Sequence, residues 1–235
     1  MIFPNYLIRN HKMIAEGDTA MIHEETYQSL KDNLRGSFAI WGEPKRRDRK
    51  DVDDLTVFSN YEAVKRIIKP NIIFVGMNLA GDATKGMKPY SNFHSSVVRH
   101  NDYRLRDAIV GTPFEGGYMT DFFKPVTSIS DKIGKHYRAH PAERQAAIEE
   151  FVAECRSICE ETKYLICIGT GYHYETIMKA LGSYPDFICR YKKPTDIKKP
   201  CFYIPHYSGA AGKSDEEYHR QATEQLLNIE KEIFG

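Results

Sequence analysis

Apolar runs at regular intervals constrain this chain more than any other feature. NIIFVG (71–76), GYMTDFF (117–123), YLICIG (164–169) and CFYIPH (201–206) are each too short to be a buried helix. Each is bounded by glycine, proline or polar residues, as a strand buried on both faces would be. Helical stretches separate them. Residues 141–162 place Ala147, Ile148, Phe151, Val152, Cys155, Ile158 and Cys159 along one helical face. NYEAVKRII ends at Pro70, NDYRLRDAIVG at Gly111, and YHYETIMKALG at Gly182. The closing stretch SDEEYHRQATEQLLNIEKEIF opens with Ser214 and, three residues on, Glu217, a capping box.

Continuous apolar strands alternating with helices specify an α/β fold with a mainly parallel sheet. We expect a three-layer α/β/α sandwich around four strands, forming a single unit over residues 1–235. Residues 1–70 read as an N-terminal helical and extended addition, with a polar helix near HEETYQSLKDNL and a short strand at SFAIW. The long segments MNLAGDATKGMKPYSNFHSS and KPVTSISDKIGKHYRAHP read as loops, and DFICRY as a strand or connection.

Composition removes several function classes. No apolar run approaches the ~20 residues of a membrane span, and MIFPNYLIRNHK has neither a basic start nor a cleavage site, so a cytoplasmic protein is expected. The five cysteines are odd in number and lack C-x-x-C spacing, which fits reduced, buried thiols. No iron–sulfur cluster, structural metal or other cofactor is expected. Net charge is +1, but EPKRRDRK and RYKKPTDIKKP are local basic clusters that read as solvated loops or, flanking one cleft, as a track for a phosphate backbone. Phosphate-loop and nucleophile-elbow signatures are missing, and GTGYHYETI lacks the third glycine of a dinucleotide loop.

In a parallel sheet the ligand site lies beyond the carboxyl ends of the strands. Those ends here carry Asn78, Asp121, Gly169-Thr170 and His206. Read together, they resemble the uracil-DNA glycosylase superfamily over about residues 70–230. GMNLAG is similar to its first motif, written G-x-N-P-G in the mismatch-specific and single-strand-selective branches. NFHS sits near where the family places a base-stacking aromatic. GYMTDFFK resembles the strand of its base-reading amide, and IPHYSGAAG its second motif, H-P-S with a DNA-inserting loop.

The resemblance implies hydrolysis of an N-glycosidic bond in DNA, after the base has left the stack for a pocket. Asn78 would hold the attacking water, its amide oxygen accepting from it. His206 would donate to the oxygen of the departing base. Gly76 and Met77 would line the pocket at the strand exit, with Phe93 as stacking platform and Tyr90 in reserve. Asp121 would read the base edge, and Ser208 would bond a neighbouring phosphate.

Three departures qualify this. Asp121 stands where the family has an amide: an ionised carboxylate accepts but cannot donate to O4 of uracil. Either burial protonates it, or the base carries an amino group as cytosine does, or the ligand is not uracil. Alternatively it pairs with Lys124 or an arginine in the pocket wall. Leu79 and Tyr207 replace motif prolines, and no bulky aliphatic wedge follows Ser208. Single-stranded or mismatched DNA is then a better partner than intact duplex. A non-catalytic nucleotide or nucleic-acid binder is the main alternative, and a free-nucleoside hydrolase or transferase a further one.

Overall fold

The computed structural model describes residues 21–32, 36–42, 50–78, 87–97, 100–124, 130–169, 178–188, 202–208 and 212–235. The helices expected around HEETYQSLKDNL and over NYEAVKRII are shorter than those stretches: α1 is Glu24–Ser29 and α2 Tyr61–Val64, the latter capped by Asn60, whose side chain accepts from the Glu62 amide. The strands are β1 (Ser37–Phe38), β2 (Lys69–Asn78), β3 (Gly117–Phe123), β4 (Lys163–Ile168), β5 (Phe187–Ile188) and β6 (Tyr203–Ile204). Helices α3 (Asp102–Ile109), α4 (Ser130–Ala139), α5 (Pro141–Ile158) and the closing α6 (Asp215–Ile233) complete the chain order.

The fold is α/β with a mixed, mostly parallel sheet. Among the described residues the sheet has six strands rather than four: the order is β1-β3-β2-β4-β5, with β6 also on β4. Only β1 runs antiparallel. The two additional strands, two residues each, fall within SFAIW, read as a short strand, and DFICRY, read as a strand or connection. β5 and β6 share one side of β4, at opposite ends of it.

Alternation along each strand sends side chains to two cores. Ile73, Val75 and Met77 of β2 join Tyr118, Phe122, Leu165 and Cys167 in a cluster with Ile148, Phe151, Val152, Cys155 and Ile158 of α5. Ile72 and Phe74 join Met119, Ile166 and Ile204 in a second cluster with Leu105 and Ile109 of α3 and Leu226 and Ile229 of α6. Both faces of the strands are covered, hence the unbroken apolar runs. The described part of residues 1–70 is built into this body: β1 pairs with β3, and Tyr27, Phe38 and Phe58 lie in the first core.

Helix α4 falls in a segment read as a loop. Gly134 in its middle lowers intrinsic helix propensity by roughly 1 kcal/mol. The helix is stabilised by packing instead: Ile133 and Tyr137, four residues apart, are both buried, and Tyr137 stacks on Phe123 at 4.3 Å. The serine half of the expected capping box of α6 forms, with Ser214 Oγ accepting from the Glu217 amide at 3.2 Å, while the Glu217 carboxylate accepts from Gln221 at 2.9 Å.

Candidate functional site

The parallel register brings the strand exits side by side. Gly76 is the Cα partner of Asp121, and Asn78 that of Phe123. Ile168 is paired with Ile204, and the Gly169 amide donates to the Ile204 carbonyl at 2.7 Å.

Gly76 forms the floor of the cluster. A Cβ added there would overlap Asp121 Oδ1 and stand 3.2 Å from Phe93 Cζ. A carboxyl and a ring edge therefore converge over a residue with no side chain, the close approach for which glycine is suited. Asp121 is 6% exposed, and its Oδ2 accepts from Asn92 Nδ2 at 3.0 Å. Burial pushes its pKa up to about 6; the Asn92 hydrogen bond and the Lys124 charge pull it down, and Glu154 adds to the rise. Lys124 does not pair with this carboxyl. Its ammonium bonds Thr120 Oγ1 and the Asp121 carbonyl, each at 2.9 Å, and the Glu154 carboxylate at 2.6 Å. No arginine among the described residues bridges to Asp121 either.

Phe93 is held in a left-handed backbone conformation, φ +61°. For a bulky side chain this costs on the order of 1–3 kcal/mol and persists only where the surroundings enforce it. The enforcement is local. Trp41 Nε1 donates to the Phe93 carbonyl at 3.4 Å, and the His94 amide donates to the Ser91 carbonyl at 3.1 Å. The buried His94 ring is wedged between the carbonyls of Asn92 (2.8 Å from Nδ1) and Ile40 (2.9 Å from Nε2). Burial lowers its pKa, while the two carbonyls act to raise it. Asp102 lies on the far side of this loop, with Oδ2 accepting from the Ser95 amide at 2.8 Å. Its pKa is also pushed up to about 6, by burial first and then by the Asp121 charge.

Aromatic contacts lead from Phe93 to the last strand exit. Phe93 meets Tyr207 edge-on at 6.4 Å, and Tyr207 stacks on His206 at 5.0 Å. The His206 ring backs onto Gly169, whose φ of +99° and 3.3 Å approach to the ring both call for glycine. The Ser208 amide donates to His206 Nδ1 at 3.1 Å. Nδ1 is thus the acceptor, and the neutral ring carries its hydrogen on Nε2. Partial burial lowers the His206 pKa, which favours that neutral form although the residue keeps an exposed side. The ring can therefore donate one hydrogen bond from Nε2 while its other nitrogen is held by the backbone. Arg104 fastens the segment after it: its guanidinium reaches the Tyr207 carbonyl (3.4 Å), the Lys213 carbonyl (3.1 Å) and Asp215 Oδ1 (2.7 Å).

Gly76, Phe93, Asp121 and, through Tyr207, His206 are thus brought into one contiguous cluster. Two expected site residues are not. Tyr90 is a correction: it is 2% exposed, stacks on Phe58 at 4.8 Å and Tyr27 at 5.3 Å, and donates to the Tyr27 carbonyl at 2.6 Å. It belongs to the first core and is no reserve platform. Met77 likewise sends its side chain into that core, leaving only its backbone at the strand exit. Asn78 ends β2, but its side chain lies outside the described residues, as do Leu79, Thr170 and most of both basic clusters. Ser208 contributes its amide to His206. Asn92, His94, Asp102 and Arg104 were not anticipated. Their neighbours in sequence were, but no periodicity marks a residue that acts by holding a loop.

Compared with family models, curated proteins and solved structures, the chain finds no match in any of the three. The resemblance to uracil-DNA glycosylases accordingly rests on the sequence motifs alone.

Proposed function

We propose that this chain is a DNA glycosylase-like hydrolase of the cytoplasm, acting on uracil or another modified base in single-stranded or mismatched DNA. The fold would be a three-layer α/β/α sandwich whose parallel core is β3, β2, β4 and β6. The observation that carries the reading is the convergence of Asp121 and Phe93 over Gly76, joined through Tyr207 to a histidine prepared to donate from Nε2.

In the reaction, a water oriented by Asn78 adds to C1′ of the sugar as the C1′–N bond breaks; its surplus proton passes to solvent, from which the released base anion is protonated. The bonding electrons leave with the base, and His206 Nε2–H donates to the base oxygen on which negative charge develops. Asp121 sets selectivity through its protonation. Above pH ~6 the carboxylate only accepts, which suits a base with an exocyclic amino group; below it the neutral acid also donates, which suits the carbonyl edge of uracil. No step calls for a cofactor.

The experiment is base release from oligonucleotides carrying uracil or a panel of modified bases, below and above pH ~6. Release that Asn78→Ala and His206→Ala each abolish supports the reading; no release from any substrate overturns catalysis. A second reading, a binder without turnover, is favoured by the lost prolines at Leu79 and Tyr207 and the missing wedge. Salt-dependent DNA binding with no base released would establish it.

A further inference from the structure

Away from this cluster, three side chains converge at the elbow between α4 and α5. His136 lies in the last turn of α4, His140 is the N-cap of α5, and Glu143 is in the first turn of α5. One potential ligand atom from each lies within 4.8 Å of the other two. The imidazoles are nearly parallel, with centroids 4.4 Å apart and planes at 26°. His136 Nε2 is 2.7 Å from Glu143 Oε2.

The His140 ring is oriented by the backbone. Its Nδ1 lies 2.8 Å from the carbonyl oxygen of His136. A carbonyl can only accept, so Nδ1 carries the hydrogen, and in the neutral ring Nε2 keeps its lone pair. Imidazole ligands of metal ions are commonly held this way, by a carbonyl on the nitrogen that does not bind.

We propose that His136, His140 and Glu143 bind one divalent transition-metal ion of the zinc class, through two imidazole nitrogens and a carboxylate oxygen, with water completing the shell. Two histidines and a carboxylate are a zinc ligand set. Two nitrogen donors select against calcium and magnesium, which take oxygen shells. Tetrahedral zinc with bonds of ~2.0–2.1 Å sets its ligands about 3.4 Å apart. A separation of 4.8 Å therefore closes by ~1.4 Å, and His136 Nε2 and Glu143 Oε2 open from 2.7 Å by ~0.7 Å, movements available to side chains that keep solvent access. Glu143 is 56% exposed at its side chain and His136 26%. On binding, the hydrogen on His136 Nε2 that faces Glu143 moves to Nδ1 or to solvent, and the freed lone pair goes to the metal. The ion's charge sits between the carbonyl end of α4, which favours a cation, and the N-terminus of α5, which opposes one, so the two helix dipoles offset each other and the ligands supply the affinity.

The site is linked to the sheet. Tyr137, between the two histidines in sequence, stacks on Phe123, the Cα partner of Asn78. A bound ion would fix the α4–α5 elbow against the end of β3.

The test is calorimetric titration of the full chain with zinc chloride, and in parallel with magnesium chloride. We expect one saturable zinc per chain, no magnesium binding, and a loss of zinc affinity of ~10-fold or more in both His140→Gln and Glu143→Gln, with His219→Gln unchanged. Cobalt substitution should give an absorption spectrum of nitrogen and oxygen ligands without thiolate. No saturable zinc, zinc affinity unchanged in His140→Gln and Glu143→Gln, or a thiolate spectrum would each overturn the proposal.

Discussion

On one face of β2, Ile73, Val75 and Met77 enter a core with Tyr90, Tyr118 and Phe122; on the other, Ile72 and Phe74 give way to Gly76 beneath Asp121 and Phe93. The strand and its hydrogen bonds are common to both. The first face is closed to the end of the strand, its apolar packing interrupted at Thr120 by a buried ion pair of Lys124 with Glu154. On the second, the strand's apolar side chains end one pleat earlier, at Gly76, and beyond them stand a buried acid hydrogen-bonded to Asn92, the Phe93 ring and a histidine held by the backbone. A sheet reserves a site not by changing its backbone but by what alternate residues are allowed to be.

The comparison breaks first if Tyr90 is not a packing residue. Tyr90→Ala removes a ring buried against Tyr27 and Phe58 and leaves the Tyr27 carbonyl without its donor. We expect a loss of ~3–5 kcal/mol in denaturant unfolding. A loss below ~1 kcal/mol would mean that Tyr90 is not a packing residue of the first core.

Asp121 should cost stability where Tyr90 supplies it. A pKa raised from 3.8 to about 6 means that the folded state holds its proton more tightly than the unfolded state. Stability is therefore greatest below pH ~4 on this account, falls as pH rises between ~4 and ~6, and stays reduced above, by on the order of 3 kcal/mol. Asp121→Asn keeps an oxygen to accept from Asn92 and removes the charge. The variant should be more stable than the parent at pH 7, with the gain vanishing below pH ~4. Equal unfolding midpoints at all pH values would show that Asp121 carries no such burden. Asp102 shares the same field, so Asp121→Asn should also lower the Asp102 pKa.

How much of this was legible in the chain follows from what each residue does. Strands β2, β3 and β4 announce themselves because both their faces are covered, and α6 because Ser214 caps it at the Glu217 amide. Asp121 and His206 could be placed at strand ends because their neighbours fix those ends. Helix α4 was hidden by Gly134, and its stability comes from Tyr137 on Phe123, a contact between segments that no local pattern encodes. His94 and Arg104 were invisible for the same reason: their partners are the carbonyls of Asn92 and Ile40, and of Tyr207 and Lys213. Tyr90 was misplaced because sequence spacing cannot say which face of the sheet a loop aromatic reaches. The spacing of His136, His140 and Glu143 stood in the sequence, but the two histidines fell in a segment read as a loop and Glu143 in the helix after it, so i, i+4, i+7 carried no meaning across the boundary.

The floor of the cluster gives the next test. In Gly76→Ala the new Cβ overlaps Asp121 Oδ1, so the carboxyl must leave Asn92 or the strands must part. Overpacking of this kind costs ~1–3 kcal/mol. Base release or DNA binding should fall by more than the stability loss explains, because the carboxyl, not the sheet, is what moves. Full retention of both would remove Gly76 and Asp121 from the proposed site.

The smallest effect belongs to the next residue along. Met77 has its backbone at the same strand exit, but its side chain sits in the first core with Phe122 and Tyr90. Met77→Leu conserves volume and should cost under ~1.5 kcal/mol. The pH profile of DNA binding should be unchanged, since the substitution alters nothing on the Asp121 face. Adjacent positions would then differ in kind: a methyl group added at Gly76 disturbs the Asp121 carboxyl, whereas a reshaped side chain at Met77 is absorbed by packing. If Met77→Leu instead shifts that profile, the two faces communicate through the strand, and Asp121 cannot be read apart from the core behind it.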